Sequence, residues 1–166
     1  MAGGATLLSK KRMAQRRTAM EERRNPHIKN WKSIQKFIRP GRGYFLGDQT
    51  TENADRASSM ITSTPAIASR TLAAGMMAGA SSPSYRWFKF YTEDPGFKDW
   101  SPARIALEQR EMIVFSVLAR SNFYQNIVTL FGDGGDFGNG HGLLEKHPKD
   151  IISLRTLPPG AYLIDI

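Results

Sequence analysis

Residues 65 to 80, "PAIASRTLAAGMMAGA", constrain the fold more than any other stretch, because they describe a helix that needs cover. Ser63 or Thr64 supplies an N-cap, and Pro65 takes the first helical position, where its missing N–H is no loss. Ser82-Pro83 ends the helix, since the residue before a proline is pushed out of the helical region. Ala68, Leu72, Gly75, Met76 and Gly79 recur on one face, Ala74, Met77 and Ala78 fill most of the rest, and Arg70 is the single charge. Each interior glycine costs about 1 kcal/mol relative to alanine. Burying Leu72 or Met76, at roughly 1.5 to 3 kcal/mol apiece, offsets that cost. The pattern predicts an enclosed helix, with Gly75 and Gly79 at a close backbone crossing and the cover supplied by further residues or further subunits.

The elements around it follow from period and punctuation. "YRWFKFY" alternates, with Tyr85, Trp87, Lys89 and Tyr91 on one face, and predicts a strand over 85–91. Ser101-Pro102 opens a helix to about 120, whose "MIVFSVLA" half is apolar nearly all round and is expected to be buried on more than one side. Asn122 is placed to cap a third helix over 123–131, and three short strands are expected at 143–146, 151–156 and 161–166. Upstream, residues 5–24 read as a basic helix or a disordered arm, broken at Asn25-Pro26. A short amphipathic helix follows, with Ile28, Trp31, Ile34, Gln35 and Ile38 on one face, ending at Pro40 before a long polar loop. The fold class is α+β, mainly helical. Residues 1–25 form a basic arm, 26–136 a helical region with the aromatic strand, and 137–166 the beginning of a β-rich region.

Charge is divided unevenly between these parts. Residues 1–42 carry twelve Lys and Arg against Glu21 and Glu22, a net of +10, while residues 43–166 carry 11 basic and 13 acidic residues, a net of −2. The sequence pI near 10.0 therefore belongs to the arm. Such an arm attracts polyanions, and Lys10, Lys11, Arg12, Arg16, Arg17, Arg23 and Arg24 are its candidate contacts. Trp31 and Phe37 nearby offer base stacking, but Trp31 and Ile34 lie on a face that a folded neighbour would cover, so Trp31 is assigned to the core. No secretory signal is expected, because the brief apolar stretch precedes the charges of "MAGGATLLSKKR"; Glu21-Glu22 argues against a mitochondrial transit peptide. The longest apolar run, Leu72 to Ala80, is nine residues, about half of what a bilayer requires, and no membrane partner is expected.

Chemistry has little to work with. The chain has no cysteine, which excludes disulfides, thiolate metal sites and cysteine nucleophiles. "FGDGGDFGNGHG" lacks the Gly-Lys-Ser/Thr end of a phosphate loop, follows a helix where a dinucleotide fingerprint follows a strand, and holds one copy of a calcium nonapeptide that works only in stacks. It is expected to be a flexible helix-to-strand connection. His27, His141 and His147 fall in three candidate loops; a metal shared by the last two is the alternative to solvated side chains. No Gly-x-Ser-x-Gly elbow occurs, and Glu21-Glu22, Glu93-Asp94 and Glu108/Glu111 read as solvated faces. No catalytic, cofactor-binding or metal-binding residue is assigned, and no enzyme is expected.

Four segments together carry a resemblance: "NWKSIQKFIRPGRGYF", "ITSTPAIASRTLAAGMMAGASSPSYRWFKFYTEDP", "VLARSNFYQNIVTLFGDGGDFGNGHGLLEKHP" and "ISLRTLPPGAYLIDI". In this order they resemble the N-terminal region of the portal, or head-to-tail connecting, proteins of short-tailed bacteriophages. The matching features are Trp31, Pro40, Arg42 and Gly43; Thr64, Leu72, Gly75 and Gly79; Ser82, Pro83, Trp87 and Phe88; and Asn122, Phe123 and Tyr124. The resemblance covers residues 28–166 nearly continuously and leaves the basic arm outside. Family members are several times longer, so the chain looks like an N-terminal fragment, and the glycine cluster is richer than the family's single glycine turn.

The resemblance implies wing-type helices followed by the start of a mixed sheet. It also implies a structural, non-catalytic subunit of a ring, typically dodecameric, at one capsid vertex of the virion, assembled in the bacterial host cytoplasm. Its implied partners are capsid and scaffolding proteins, terminase, tail or adaptor proteins, and the double-stranded DNA that passes through the ring. The competing reading is a small basic nucleic-acid-binding protein acting through its arm.

Overall fold

The computed structural model describes residues 10–43, 45, 61–98 and 100–164, in two compact units. One unit comprises the residues up to Ser63 together with those from Pro158, and the other runs from Thr64 to Leu157. Most of the expected polar loop after Pro40 lies outside the described residues.

The first unit is organised by one helix, α1 (Lys10–Phe37), which runs through Pro26. The expected break at Asn25-Pro26 does not occur. Proline removes one N–H and crowds the carbonyl four residues back, a cost of about 3 kcal/mol, so tertiary contacts on both sides must hold the helix together. Before Pro26, Arg24 donates from Nη1 to the carbonyl of Gly160 at 3.1 Å. After it, the Trp31 ring stacks on His27 at 5.9 Å and meets Phe45 at 6.2 Å. The expected face of Ile28, Trp31, Ile34, Gln35 and Ile38 is the one turned inward, with Gln35 and Phe45 buried.

α1 ends as Ile38 and Arg39 both donate to the Ile34 carbonyl, at 2.8 and 3.0 Å. Gly41 and Gly43 then turn the chain with φ of +88° and +120°. Gly43 has a second reason to lack a side chain: a Cβ there would stand 2.8 Å from the Phe45 ring. Its carbonyl accepts from Gln35 Nε2 at 3.4 Å, so the Trp31 helix and the Arg42-Gly43 turn form one local core.

The second unit holds α2 (Thr64–Ala80), a single turn α3 (Pro95–Lys98), α4 (Ser101–Arg120), α5 (Phe123–Phe137), β1 (His141–His147) and β2 (Ile151–Leu157). The class is mainly helical α+β. β1 and β2 form an antiparallel pair in which Leu144 faces Leu154 and His141 faces Leu157. Among the described residues this pair is the whole sheet, and the third expected strand, 161–166, is not formed over 161–164.

Three further expectations are corrected. Residues 85–91 belong to no helix and pair with no strand among the described residues; aromatic packing, described below, holds them instead. The glycine cluster is largely helical. α5 passes through Gly132, Gly134 and Gly135 and stops at Gly138, whose φ of +78° makes it a left-handed C-cap. At Gly135 the helix cost of glycine is offset by close packing, since a Cβ there would meet Leu72 Cδ2 of α2 at 2.8 Å; past the helix end, a Cβ on Gly140 would meet the Leu130 carbonyl at 2.6 Å. The glycine that admits α2 is thus on α5, where Ser69 also donates to Asp136 Oδ2 at 2.5 Å and Ala73 is buried. Finally, His27 is helical, and His141 and His147 begin and end β1, so none is a simple loop residue.

The hairpin turn stores strain. Ile151 has φ of +70°, rare for a β-branched side chain, and closes a three-residue turn in which Ile152 N–H donates to the Asp150 carbonyl at 2.8 Å. The turn is fastened by His147 Nδ1, which accepts from the Asp150 N–H at 3.2 Å. Ile151→Gly is expected to relieve this strain and stabilise the second unit by about 1 kcal/mol in denaturant titration. Gly43→Ala, which adds both a steric clash and backbone strain, is expected to cost about 2 kcal/mol, read by loss of the Trp31 fluorescence transition at lower denaturant.

Candidate functional site

The residues singled out in the sequence converge on two places in the second unit. The first is the start of α5. Ser121 closes α4 by donating from its N–H to the Val117 carbonyl at 3.1 Å, and its Oγ accepts from the Phe123 N–H at 3.2 Å. The side-chain capping expected of Asn122 is therefore performed by Ser121. The Asn122 amide is turned to β2 instead: Nδ2 donates to Ser153 Oγ and to the Leu154 carbonyl, both at 3.1 Å, and Oδ1 accepts from the Leu154 N–H at 2.8 Å. The N–H and C=O of a strand residue point to one side, so this amide occupies the edge of β2 that faces away from β1.

The next two residues build an aromatic cluster. Phe123 stacks nearly parallel on Trp87, with ring centroids 6.3 Å apart and an 8° interplanar angle, and Trp87 Nε1 donates to the Tyr124 hydroxyl at 3.2 Å. Phe88 meets the edge of Trp87 at 5.0 Å and approaches Phe115 of α4 at 6.4 Å. Aromatic area and ring geometry, rather than a hydrogen-bonded ladder, fix the 85–91 segment here. Behind it, Tyr85 donates to the carbonyls of Ala78 and Gly79 at 2.9 and 3.1 Å, satisfying the end of α2, while Ser82 Oγ accepts from the Ser84 N–H beside Pro83.

The second place is an uncovered apolar surface. Ile67, Leu72 and Met76 of α2 are exposed, and a Cβ added at Gly75 or Gly79 meets no described atom within 4 Å. The expected close crossing at these two glycines is therefore not made within the described chain. α4 likewise exposes Ile105, Met112 and Ile113, the last two at about 60%, so its apolar half is not enclosed as expected. What α4 buries is Leu118 and, against expectation, Glu111, whose carboxylate is 3.5 Å from Arg86. Glu111 is thus no member of a solvated face.

Little in the unit suggests chemistry. A cleft of about 900 Å³ between residues 86–97 and the first half of α4 is lined by Arg86, Lys89 and Arg104 against Glu93, Glu108 and Glu111, three charges of each sign. Among the described residues no group of three or more His, Asp or Glu is placed to hold a metal, and no helix is long and apolar enough to cross a membrane. In the first unit, of the candidate polyanion contacts, Lys10, Arg12, Arg16, Arg17 and Arg23 are exposed on α1, Arg17 pairs with Glu21 at 2.9 Å, and Arg24 is half-buried and donates to the Gly160 carbonyl.

The exposed apolar residues of α2 and α4 form surfaces of the kind that other polypeptide covers. Residues 10–166 match the model of the bacteriophage head to tail connecting protein family, and the chain belongs to that family. It is similar to the portal protein of Salmonella phage epsilon15, at 29% identity over 155 residues, covering 93% of this chain and 28% of that protein. It is also similar to the probable portal protein of Bordetella phage BPP-1, at 26% identity over 141 residues, covering 85% of this chain and 25% of that protein. The chain thus spans about a quarter of the length of these relatives. The family match includes α1 from Lys10, so the basic segment is within the family region and not outside it.

Asn122→Ala is expected to leave the Leu154 N–H and C=O without partners and to destabilise the second unit by about 2 to 4 kcal/mol, measured by urea unfolding followed through Trp87 fluorescence.

Proposed function

We propose that this chain is the N-terminal part of a portal subunit that closes into a ring at one vertex of a phage capsid. The ring is the conduit through which double-stranded DNA is packaged and ejected, and the attachment point of the tail. Twelve copies, contacts with capsid, scaffolding, terminase and tail or adaptor proteins, and assembly in the host cytoplasm before incorporation in the virion, all belong to this reading. The chain supplies the wing-type helices and the first strands, and its role is structural and not enzymatic.

The observation that carries the reading is the open face of α2. Gly75 and Gly79 lie on a helix whose exposed neighbours Ile67, Leu72 and Met76 are apolar, and a Cβ at either glycine would meet no described atom within 4 Å. Bare backbone on an apolar helix suits close approach by another polypeptide, and a ring provides one through repeated head-to-tail contact between unlike faces.

Gly75→Leu and Gly79→Leu separate folding from assembly. A Cβ at either site would meet no described atom within 4 Å, and leucine gains about 0.5 to 1 kcal/mol of helix propensity over glycine. In the full-length protein, each variant is expected to melt at or above the parent's temperature yet to form several-fold fewer rings by native mass spectrometry and negative-stain microscopy. Normal ring yield from both variants would sink the assignment of this face to assembly.

A further inference from the structure

The two strands of the hairpin have unlike outer edges. On β2, Asn122 takes both backbone groups of Leu154, and the Ile152 N–H donates to the Asp150 carbonyl at 2.8 Å, so that edge is occupied along its middle. These bonds also fix the phase of the ladder. Leu154 turns its N–H and C=O away from β1, and its partner across the ladder, Leu144, must therefore turn its own away from β2. Alternation then sends the N–H and C=O of Gly142, Leu144 and Lys146 to the outer edge of β1 and leaves those of Leu143 and Glu145 on β2. Among the described residues no strand pairs with that outer edge.

The side chains are open in the same place. Leu144 and Leu154 face each other on one side of the sheet, yet Leu154 is 6% exposed and Leu144 62%. α5 packs on β2, and its cover ends before Leu144. Residues 142–146 are exposed at every position. Edge strands built to face water are short, bulged, or fortified with charge and proline. β1 is seven residues long, keeps register without a bulge, and among its outward-turned residues Lys146 is the one charge. Glu145 is on the other face, engaged by Arg155 at 3.2 Å. A strand of this length with Leu143 and Leu144 in water is built to be paired, not to stay bare.

We infer that β1 is an interior strand of the complete subunit, and that a further strand of the same subunit, from outside residues 1–166, pairs with Gly142, Leu144 and Lys146. This rests on the reading of the chain as part of a longer portal subunit. The relatives have the length for it, since this chain covers 28% and 25% of them. A second copy fits less well. With the β2 edge occupied, the described hairpin can offer a copy its own β1, and β1 paired with β1 is a two-fold contact that closes at two subunits and gives no ring. A tethered strand also meets the edge at a higher effective concentration than a separate chain does. The strand that fits carries apolar side chains beside Leu143 and Leu144, one on each face, and no proline where it meets Leu144. Asn122 closes the sheet on the β2 side, so growth proceeds from β1.

The test uses the full-length protein, as monomers and as rings separated by size, with hydrogen–deuterium exchange read at single amides by electron-transfer fragmentation. The Leu144 and Lys146 amides are expected to be protected at least about 100-fold relative to an unstructured amide, close to Leu143 and Glu145, and already in the monomer. Leu144→Pro removes an N–H that β2 does not use, so a free edge would tolerate it. On a paired edge it is expected to lower the melting temperature by roughly 5 °C or more, whereas Leu144→Val, which keeps the amide, shifts it by less than about 2 °C. Fast exchange at Leu144 and Lys146 in both monomer and ring, or a Leu144→Pro variant that melts with the parent, would overturn the inference. Protection confined to rings would overturn it in favour of a strand from a neighbouring subunit. Absence of rings counts against the portal reading, while exchange in the monomer still decides the strand.

Discussion

The second unit depends on a single amide. Asn122 satisfies both backbone groups of Leu154 and reaches Ser153, so the first turn of α5 is pinned to β2 at a fixed height and rotation. The residues that follow inherit that placement: Phe123 is set against Trp87, Tyr124 receives the indole N–H, and further along Gly135 meets the tip of Leu72. A side-chain amide is well suited to this, because it offers a donor and an acceptor at the spacing of a peptide group and can replace a neighbouring strand at one position. A hydroxyl would supply only part of it.

How far the sequence revealed this depends on whether a feature is local. The limits of α2 and α4 were legible, because Pro65, Ser82-Pro83 and Ser101-Pro102 act through steric rules that need no partner. So was the inward face of α1 after Ile28, through its period. The misreadings are cases where packing overrules propensity. Pro26 was read as a stop, but contacts on either side of it hold the helix. "FGDGGDF" has the composition of a loop but is helical, and at Gly135 the missing side chain leaves room for the tip of Leu72. "YRWFKFY" alternates as a strand does, yet the alternation serves aromatic stacking on α4 and α5. The Asn122 contact had no local signature at all, since its partner lies 31 and 32 residues away.

The two units divide the physical work. The second concentrates apolar surface, with Met112, Ile113 and Met76 in water and a buried Glu111 held beside Arg86. The first concentrates charge along α1. Contacts of apolar surface are governed by desolvated area and contacts of clustered charge by screening, so the two kinds of surface respond oppositely to salt.

Pro26 has a thermodynamic consequence for α1. Its missing N–H leaves one carbonyl in the middle of the helix without an intrahelical donor, and the last tertiary tie before it is Arg24. Beyond the proline, Trp31 and Gln35 tie the helix to Phe45 and Gly43, so the missing bond is a local weakness in a held element. Amide hydrogen exchange along α1 is therefore expected to be fastest around Pro26. The helix is one element by geometry, with its weakest point in the middle instead of at its ends.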